Sequence, residues 1–249
     1  MSNRVTFDFS ATTVLVTGGT SGIGHAIASA FSSAGADVTV TGTRPSADAY
    51  DTDLSAFTFR QLEVRDSDAV DALAADMDVL DVLVNNAGAN FPDGLDEWSP
   101  EGFSASLAMN VEGAQRLTVR ARDALARSQM PGGASVVNLV SMTAYRSTTI
   151  VPGYSSAKSA LVALTRNLAV HWSGRGIRVN AVAPGLIDTP MTAPMKSMPE
   201  LLDAEVGKGV LGRMGTPEEV AAAVLFLSSE ASAFTTGSVV AVDGGYLAQ

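Results

Sequence analysis

The sequence predicts an α/β protein, with one doubly wound, mainly parallel sheet of about seven strands and helices on both faces. Three observations carry that expectation. Short β-branched or apolar runs alternate with longer amphipathic runs along the whole chain, without internal repeats. A glycine cluster, GGTSGIG, separates the first such strand from the first such helix. The inner strands are near-continuous apolar runs, the pattern of strands covered on both faces. With 249 residues and no evident linker, the chain reads as one domain over residues 1–249.

Taken in order, residues 12–17 (TTVLVT) form the first strand. Apolar residues at 23, 26, 27, 30, 31 and 34 then make the stripe of a helix ending near Gly35. Residues 37–41 supply the second strand, completing the start of a βαβ unit. Residues 43–56 lack periodicity and read as a surface loop with at most a short helix. Residues 57–64 read as a strand, 66–75 as a helix and 79–84 as a buried strand running into Asn85-Asn86-Ala87-Gly88. The longest helix candidate is 100–126, with Phe103, Leu107, Val111, Ala114, Leu117, Ala121 and Leu125 down one side. A strand at 134–140, a helix from Tyr154, and a strand at 177–182 follow. Residues 186–215 carry several Pro, Met and Gly and one short helix near 199–206; a segment of that length in a compact fold suits a substrate-covering lid. A helix at 217–228 and a strand at 238–242 complete the chain.

Composition narrows the function. A 46% apolar and 17% charged chain is globular, and with no cysteine it has neither disulfides nor thiolate chemistry. Its two histidines, His25 and His171, lie on different helices, which excludes a His/Cys zinc site and leaves no metal expected. A net charge of −10 opposes binding to nucleic acid or anionic membranes. The N-terminal stretch is unlike a signal peptide, and no run approaches the roughly 18–20 apolar residues of a membrane span. The expected location is the cytoplasm.

Two stretches carry chemistry. Gly18, Gly22 and Gly24 stand between a strand and a helix, where backbone can approach a pyrophosphate and free helix N–H groups can bind it; a plain flexible turn is the alternative. Tyr154 and Lys158 lie four positions apart on a helix rich in Ala and Leu. A phenol titrates at about 10, too high for a base at neutral pH, but a cation within about 4–6 Å favours the phenolate and tunes it for proton transfer with an alcohol. The same spacing also fits a surface contact. Ser141 ends an apolar strand at the carboxyl edge, where α/β proteins place their chemistry, and alone would read as a loop serine.

Together these residues spell a pattern. Thr17-Gly18-x3-Gly22-x-Gly24, Asn85-Asn86-Ala87-Gly88, Asn110, Ser141, Tyr154-x3-Lys158, Pro184-Gly185 and Val242-Asp243-Gly244-Gly245 occur in the order and spacing of the short-chain dehydrogenase/reductase superfamily, which the chain resembles along essentially its whole length. The resemblance implies a Rossmann-type NAD(P)-binding domain and an oxidoreductase that interconverts a secondary alcohol and a ketone by hydride transfer. Tyr154 would be the general acid/base, Lys158 would lower its pKa and hold ribose hydroxyls, Ser141 would bind the substrate oxygen, and Asn110 would hold a proton-relaying water. Coenzyme contacts would come from Gly18, Thr20, Ser21, Gly22, Ile23 and Gly24; from Gly42, Thr43, Arg44, Glu63 and Val64; from Asn86, Ala87 and Gly88; and from Tyr154, Lys158, Pro184, Gly185, Ile187 and Thr189.

In relatives an acidic residue at the end of the second strand bonds the adenosine ribose; here that position is Gly42, followed by Thr43 and Arg44. A 2′-phosphate would meet no repulsion and one possible cation, so NADP(H) is favoured over NAD(H). Ser141, Thr143, Val151, Tyr154 and Leu186 are the expected substrate contacts, and the apolar surroundings suggest a neutral apolar or cyclic substrate. A 3-oxoacyl-thioester (acyl-carrier-protein) reductase is the enzymatic alternative, for which Arg175 is the one match to a carrier-docking cation. A non-catalytic redox sensor is the alternative from another class, which an intact Ser141, Tyr154 and Lys158 oppose. Relatives pair the helices at 100–126 and 154–173 across two-fold axes, so a homotetramer is expected.

Overall fold

A computed structural model describes residues 5–249. Seven strands, β1 (Thr13–Val16), β2 (Asp37–Gly42), β3 (Thr58–Gln61), β4 (Val82–Asn85), β5 (Ala134–Leu139), β6 (Ile177–Pro184) and β7 (Val239–Val242), form one sheet in the order β3-β2-β1-β4-β5-β6-β7. Every neighbouring pair is parallel. The helices are α1 (Gly22–Ser33), α2 (Ser67–Ala75), α3 (Pro100–Leu107), α4 (Gly113–Arg120), α5 (Arg122–Leu125), α6 (Pro152–Trp172), α7 (Pro199–Val206) and α8 (Pro217–Ser228). This is the doubly wound Rossmann-type fold expected from the alternation of runs. The connections step outward from β1 toward β3 and from β4 toward β7, leaving a crevice at the carboxyl ends of β1 and β4.

The sheet separates two apolar layers. Ile27 and Phe31 of α1 and Val220, Val224 and Leu227 of α8 pack on one face against Val14, Val16, Val38 and Val40. On the other face Val70 and Leu73 of α2, Leu117 of α4 and Leu168 and Trp172 of α6 cover Leu15, Leu83, Val136 and Val179. A buried polar row ties this layer to the sheet. Asn85 donates to Thr118 and Asn138 (2.8 Å each), and Asn138 donates to Thr165 at 2.9 Å.

Capping side chains explain three of the helix starts. Asp66 accepts from the N–H groups of Asp68 and Ala69 ahead of α2, Ser99 from Gly102 ahead of α3, and Thr216 with Glu219 forms a capping box for α8. The catalytic candidate helix differs: Val151 precedes α6 and offers no capping side chain.

Three expectations need correction. The helix expected over 100–126 is interrupted by a π-helical turn at Ala108–Glu112 and breaks again at Ala121. Gly113 lies so close to the chain at Val64 that a Cβ would come within 2.5 Å of the Val64 carbonyl oxygen, and the wide turn seats the chain there. It also rotates the apolar stripe, leaving Phe103 exposed. The strand expected over 57–64 spans only Thr58–Gln61, because Leu62 makes the last ladder bond to Gly42 before the chain turns into α2. The strand expected over 79–84 is shifted to Val82–Asn85, since Asp81 is engaged with Thr13.

Residues 186–215 leave the sheet and return at one neck. Gly215 donates to the Leu186 carbonyl (2.9 Å) and Asp188 to the Gly215 carbonyl (3.0 Å). Among the described residues no helix is long and apolar enough to cross a membrane.

Candidate active site

At the carboxyl ends of β1, β2 and β4 lies a cleft of about 350 Å³. Gly18, Thr20, Ser21, Gly22, Ile23 and Gly24 form its floor, Gly42, Thr43, Glu63 and Val64 one end, and Asn86, Ala87, Gly88 and Thr189 the opposite side. A Cβ on Gly24 would stand 2.2 Å from the Gly18 carbonyl oxygen, so only glycine permits this turn. Asn86 locks it by donating to the carbonyls of Thr17 and Gly18 (3.0 Å each), while the Thr17 hydroxyl accepts from Asn86 and Ala87 (3.0 Å each). Ser21 makes no side-chain cap on α1 and the first turn holds no acidic residue, so its N–H groups and positive dipole end face the cleft unopposed. These residues fit a dinucleotide: a backbone cradle and an open helix N-terminus for a pyrophosphate.

At the β2 end the structure adds a residue that spacing does not reveal. The Tyr50 hydroxyl lies where a Cβ on Gly42 would come within 2.3 Å, which explains the glycine. It accepts from the Arg44 backbone N–H at 2.8 Å. The Arg44 guanidinium is stacked over the Tyr50 ring, 4.9 Å from its centroid, and donates to the Ala49 carbonyl, so Arg44 is not part of the cleft wall. The Glu63 carboxylate is taken by Arg65, which also binds Asp93. Thr41, Tyr50, Leu62, Ala89, Met109, Pro190 and Met191 complete the lining, the first six of them unanticipated. Tyr50 sits in a loop without periodicity, and only its being an aromatic just beyond a strand end could have flagged it.

Tyr154, Lys158, Pro184, Gly185 and Ile187 stand outside that lining. Pro184 closes β6, Gly185 packs on the Asp243 backbone, and Leu186 and Ile187 line a separate cavity of about 500 Å³ under residues 205–215. Lys158 nonetheless reaches the cleft's inner end: a Cβ on Gly88 would meet the Lys158 Nζ at 3.3 Å and the Asn110 Oδ1 at 2.5 Å.

The four catalytic candidates come together beyond Gly88. Ser141 follows β5, Asn110 sits in the π-helical turn, and Tyr154 and Lys158 share one face of α6, with Nζ 5.4 Å from the phenol ring centroid. Ser141 Oγ accepts from the Thr143 N–H (3.2 Å) and hydroxyl (3.0 Å), leaving its own proton free to point into the site. Asn110 pins the neighbouring strand-end loop. Its Oδ1 accepts from the Ala89 N–H (3.1 Å) and its Nδ2 donates to the Ala89 carbonyl (2.9 Å). Val151 is buried at the start of α6, while Thr143 and Leu186 are half-buried.

The electrostatics differ from the expected pairing. Burial pushes the Tyr154 phenol up to about 12; Ser141 opposes the shift and Glu97 adds to it. Burial pulls the Lys158 ammonium down to about 8. Burial dominates at the phenol: the Lys158 Nζ lies over the ring face, 5.4 Å from its centroid, and spends one donor on the Leu139 carbonyl at 2.8 Å.

Two residues of the 91–98 loop bear on the site. Glu97, fully buried, accepts from the backbone N–H groups of Phe91 and Tyr154, both at 2.8 Å. Trp98, 67% exposed, donates its indole N–H to the Thr149 carbonyl at 3.0 Å, tying down the segment that leads into α6. Neither belongs to a motif, so nothing in the spacing of the sequence marks them.

The family profile matching residues 18–247 is described as enoyl-(acyl carrier protein) reductase. The chain is 38% identical to galactitol 2-dehydrogenase (L-tagatose-forming) of Cereibacter sphaeroides, over 99% of both chains. It is 36% identical to cis-4-hydroxycyclohexanecarboxylate dehydrogenase of Sinomonas cyclohexanicum, over 96% of this chain and 98% of that one. Among solved structures it is similar to the Pseudomonas aeruginosa RhlG/NADP active-site complex, with a TM-score of 0.85 and 29% identity over 98% of this chain and 99% of that one.

Proposed function

The chain belongs to the short-chain dehydrogenase/reductase superfamily and is an NAD(P)-dependent oxidoreductase acting on CH–OH groups; on that premise we propose that it interconverts a cyclic or polyol-like secondary alcohol and its ketone, with Tyr154 as the proton donor and acceptor. When bound, the nicotinamide coenzyme supplies or accepts the hydride. The observation that carries the assignment of roles is the half-buried Tyr154 over the buried Lys158, beside Ser141, at the inner end of a glycine-floored cleft.

The protein's part follows from its hydrogen bonds. Ser141, whose oxygen is already occupied by Thr143, donates its proton to the substrate oxygen and fixes it beside the Tyr154 phenol. With its pKa at about 12, the phenol stays protonated at neutral pH and gives its proton to a forming alkoxide during ketone reduction. Lys158 spends one N–H on Leu139 and turns its remaining donors toward Gly88, where ribose hydroxyls would lie. Asn110 holds Ala89, and with it the wall between coenzyme and substrate. Thr143, bonded to Ser141, adds a hydroxyl beside the substrate oxygen, and Val151 at the start of α6 adds an apolar contact.

NADP(H) is the preferred coenzyme in this reading. Gly42 removes the acid that would repel a 2′-phosphate, the Tyr50 hydroxyl occupies that corner, and Arg44 lies one side chain away. The chain acts as one coenzyme-binding domain over residues 1–249, with 186–215 covering the substrate. We place it in the cytoplasm as a homotetramer; the exposed edge of β7, the fully exposed Phe234 and the largely exposed Val170 favour association, and a monomer in light scattering refutes it. The 3-oxoacyl-thioester reductase reading, which relatives of that activity at 35% identity bring up, is weaker: net charge −10 opposes an acidic carrier, and Arg175 faces Asp123.

The test is coenzyme absorbance with both NAD(H) and NADP(H) against galactitol and other polyols, hydroxycyclohexanes with and without a carboxylate, and acetoacetyl thioesters. Turnover of a cyclic alcohol or polyol, lost in Tyr154→Phe, supports the reading. Turnover confined to the thioesters overturns it.

A further inference from the structure

The helix carrying Tyr154 and Lys158 has no cap of its own. The residue before it is Val151, and its first turn holds Pro152 and Gly153, neither of which can cap. The N–H of its third residue, Tyr154, is taken instead by Glu97, a carboxylate 57 positions away in sequence. The other oxygen of the same carboxylate takes the N–H of Phe91, a non-glycine residue held at φ 46°. Glu97 is 0% exposed, and no cation among the described residues pairs with it. A buried, unpaired carboxylate is costly and is retained only where its hydrogen bonds and a favourable field hold it. Here two backbone N–H groups and the positive end of a 21-residue helix supply them.

The surroundings are built around this carboxylate. A Cβ on Gly153 would meet Glu97 Oε2 at 3.3 Å and the Ser106 hydroxyl at 2.9 Å, so only glycine lets the helix start so near them. The Ser106 hydroxyl is itself buried without a partner, a spare donor in the same pocket. Along the chain, Asn110 holds Ala89 and Glu97 holds Phe91, so the wall 89–91 is fastened at both ends to groups that touch the catalytic candidates.

We propose that Glu97 is a positioning residue for the hydride-transfer reaction: its carboxylate fastens the 89–91 wall to the first turn of α6 and sets the negative charge that the Tyr154 phenol meets. This rests on Tyr154 being the acid/base. The groups facing that phenol are the Ser141 hydroxyl from the segment after β5, the Lys158 ammonium from α6 and the Glu97 carboxylate from the 91–98 loop; Asn110 and Ser106 are neutral. Glu97 acts against phenolate formation, keeping the phenol a proton donor. Neutralising it must lower the pH at which the phenolate forms.

The experiment compares the protein with Glu97→Gln and Glu97→Asp, each also in a Tyr154→Phe background. The phenolate absorbance of Tyr154, taken as the difference between each protein and its Tyr154→Phe counterpart, is followed through the alkaline range. Glu97→Gln should bring the phenolate in about one pH unit earlier, a tenfold change in its fraction, while Glu97→Asp follows the parent. Superimposed curves for Glu97→Gln and the parent overturn the proposal. This readout needs no alcohol, so it stands apart from a failure to find a turned-over substrate. Where a substrate is in hand, the Glu97→Gln kcat profile for alcohol oxidation should move to lower pH even as its plateau falls; a lower plateau at an unmoved midpoint marks a merely structural role and overturns the charge assignment. If Glu97→Gln does not fold, Glu97→Asp decides: a severalfold lower kcat at unchanged coenzyme Kd supports positioning, and an unchanged kcat overturns it.

Discussion

The two ends of the same sheet both bury charge, and they treat it differently. At the amino end, Asp81 accepts from the Thr13 N–H and hydroxyl and from Ser128, and Arg178 donates to Gly132, Leu227 and Ser229 carbonyls and to Ser232. At the carboxyl end, Lys158 has one partner, the Leu139 carbonyl. The first pair is saturated and holds loops in place; the second end keeps donors free. A buried charge with spare hydrogen-bonding capacity marks chemistry, and one without marks architecture.

The largest break in that comparison is Tyr154→Phe, expected to reduce turnover by about 10³-fold while leaving the calorimetric Tm unchanged. At the other end, Arg178→Leu orphans several carbonyls and should cost about 3 kcal/mol, lowering Tm by roughly 10 °C with kcat per folded molecule intact. Lys158→Met sharpens the contrast. The ammonium falls from 10.5 to about 8 on burial, a penalty on the order of 3 kcal/mol at neutral pH, so this variant should lose turnover yet melt at or above the parent temperature.

The pH dependence follows from the same two groups. Ketone reduction needs the phenol protonated and the ammonium charged. Since the phenol holds its proton to about 12 and the ammonium to about 8, kcat/KM for reduction should be flat below pH 8 and fall about tenfold per unit above it. A profile flat through the alkaline range would contradict the role of Lys158. The sign for stability is the reverse: Lys158 is depressed, so its penalty is present below pH 8 and relieved as the pH rises toward 10.5. The smallest effect is expected at the adenosine end. Tyr50→Phe should raise the KM for NADP by about fivefold, leaving that for NAD unchanged, as fits one lost hydrogen bond.

The two halves of the site were unequally legible. The coenzyme half is made of backbone and of side chains that are missing: at Gly24 and Gly88 a Cβ would collide, Gly18 and Gly22 take a positive φ, and glycine spacing after a strand announces that directly. The strands themselves were legible too, since buried parallel strands write themselves as apolar runs. The catalytic half was legible only where a helix fixes the spacing, as for Tyr154 and Lys158. Glu97 and Tyr50 come from loops, and their relation to Tyr154 and Gly42 exists only through the fold. The π-helical turn at Asn110 was hidden because a 3.6-residue period fits both sides of it. The direction of the Tyr154 shift was missed because burial outweighs a neighbouring cation, and burial is a tertiary property.

The indole of Trp98 gives the loop beside the site an optical signal. The chain holds two tryptophans, and they could hardly differ more: Trp172 is sealed in the core at 2% exposure, while Trp98 stands in water with its N–H on the Thr149 carbonyl. Their emission should therefore separate into a blue component, shielded from quenchers, and a red, quenchable one. Any movement of residues 145–151 upon ligand binding changes the red component alone, whereas unfolding changes both, so the unlabelled protein can report closure over its substrate and loss of its fold in a single spectrum.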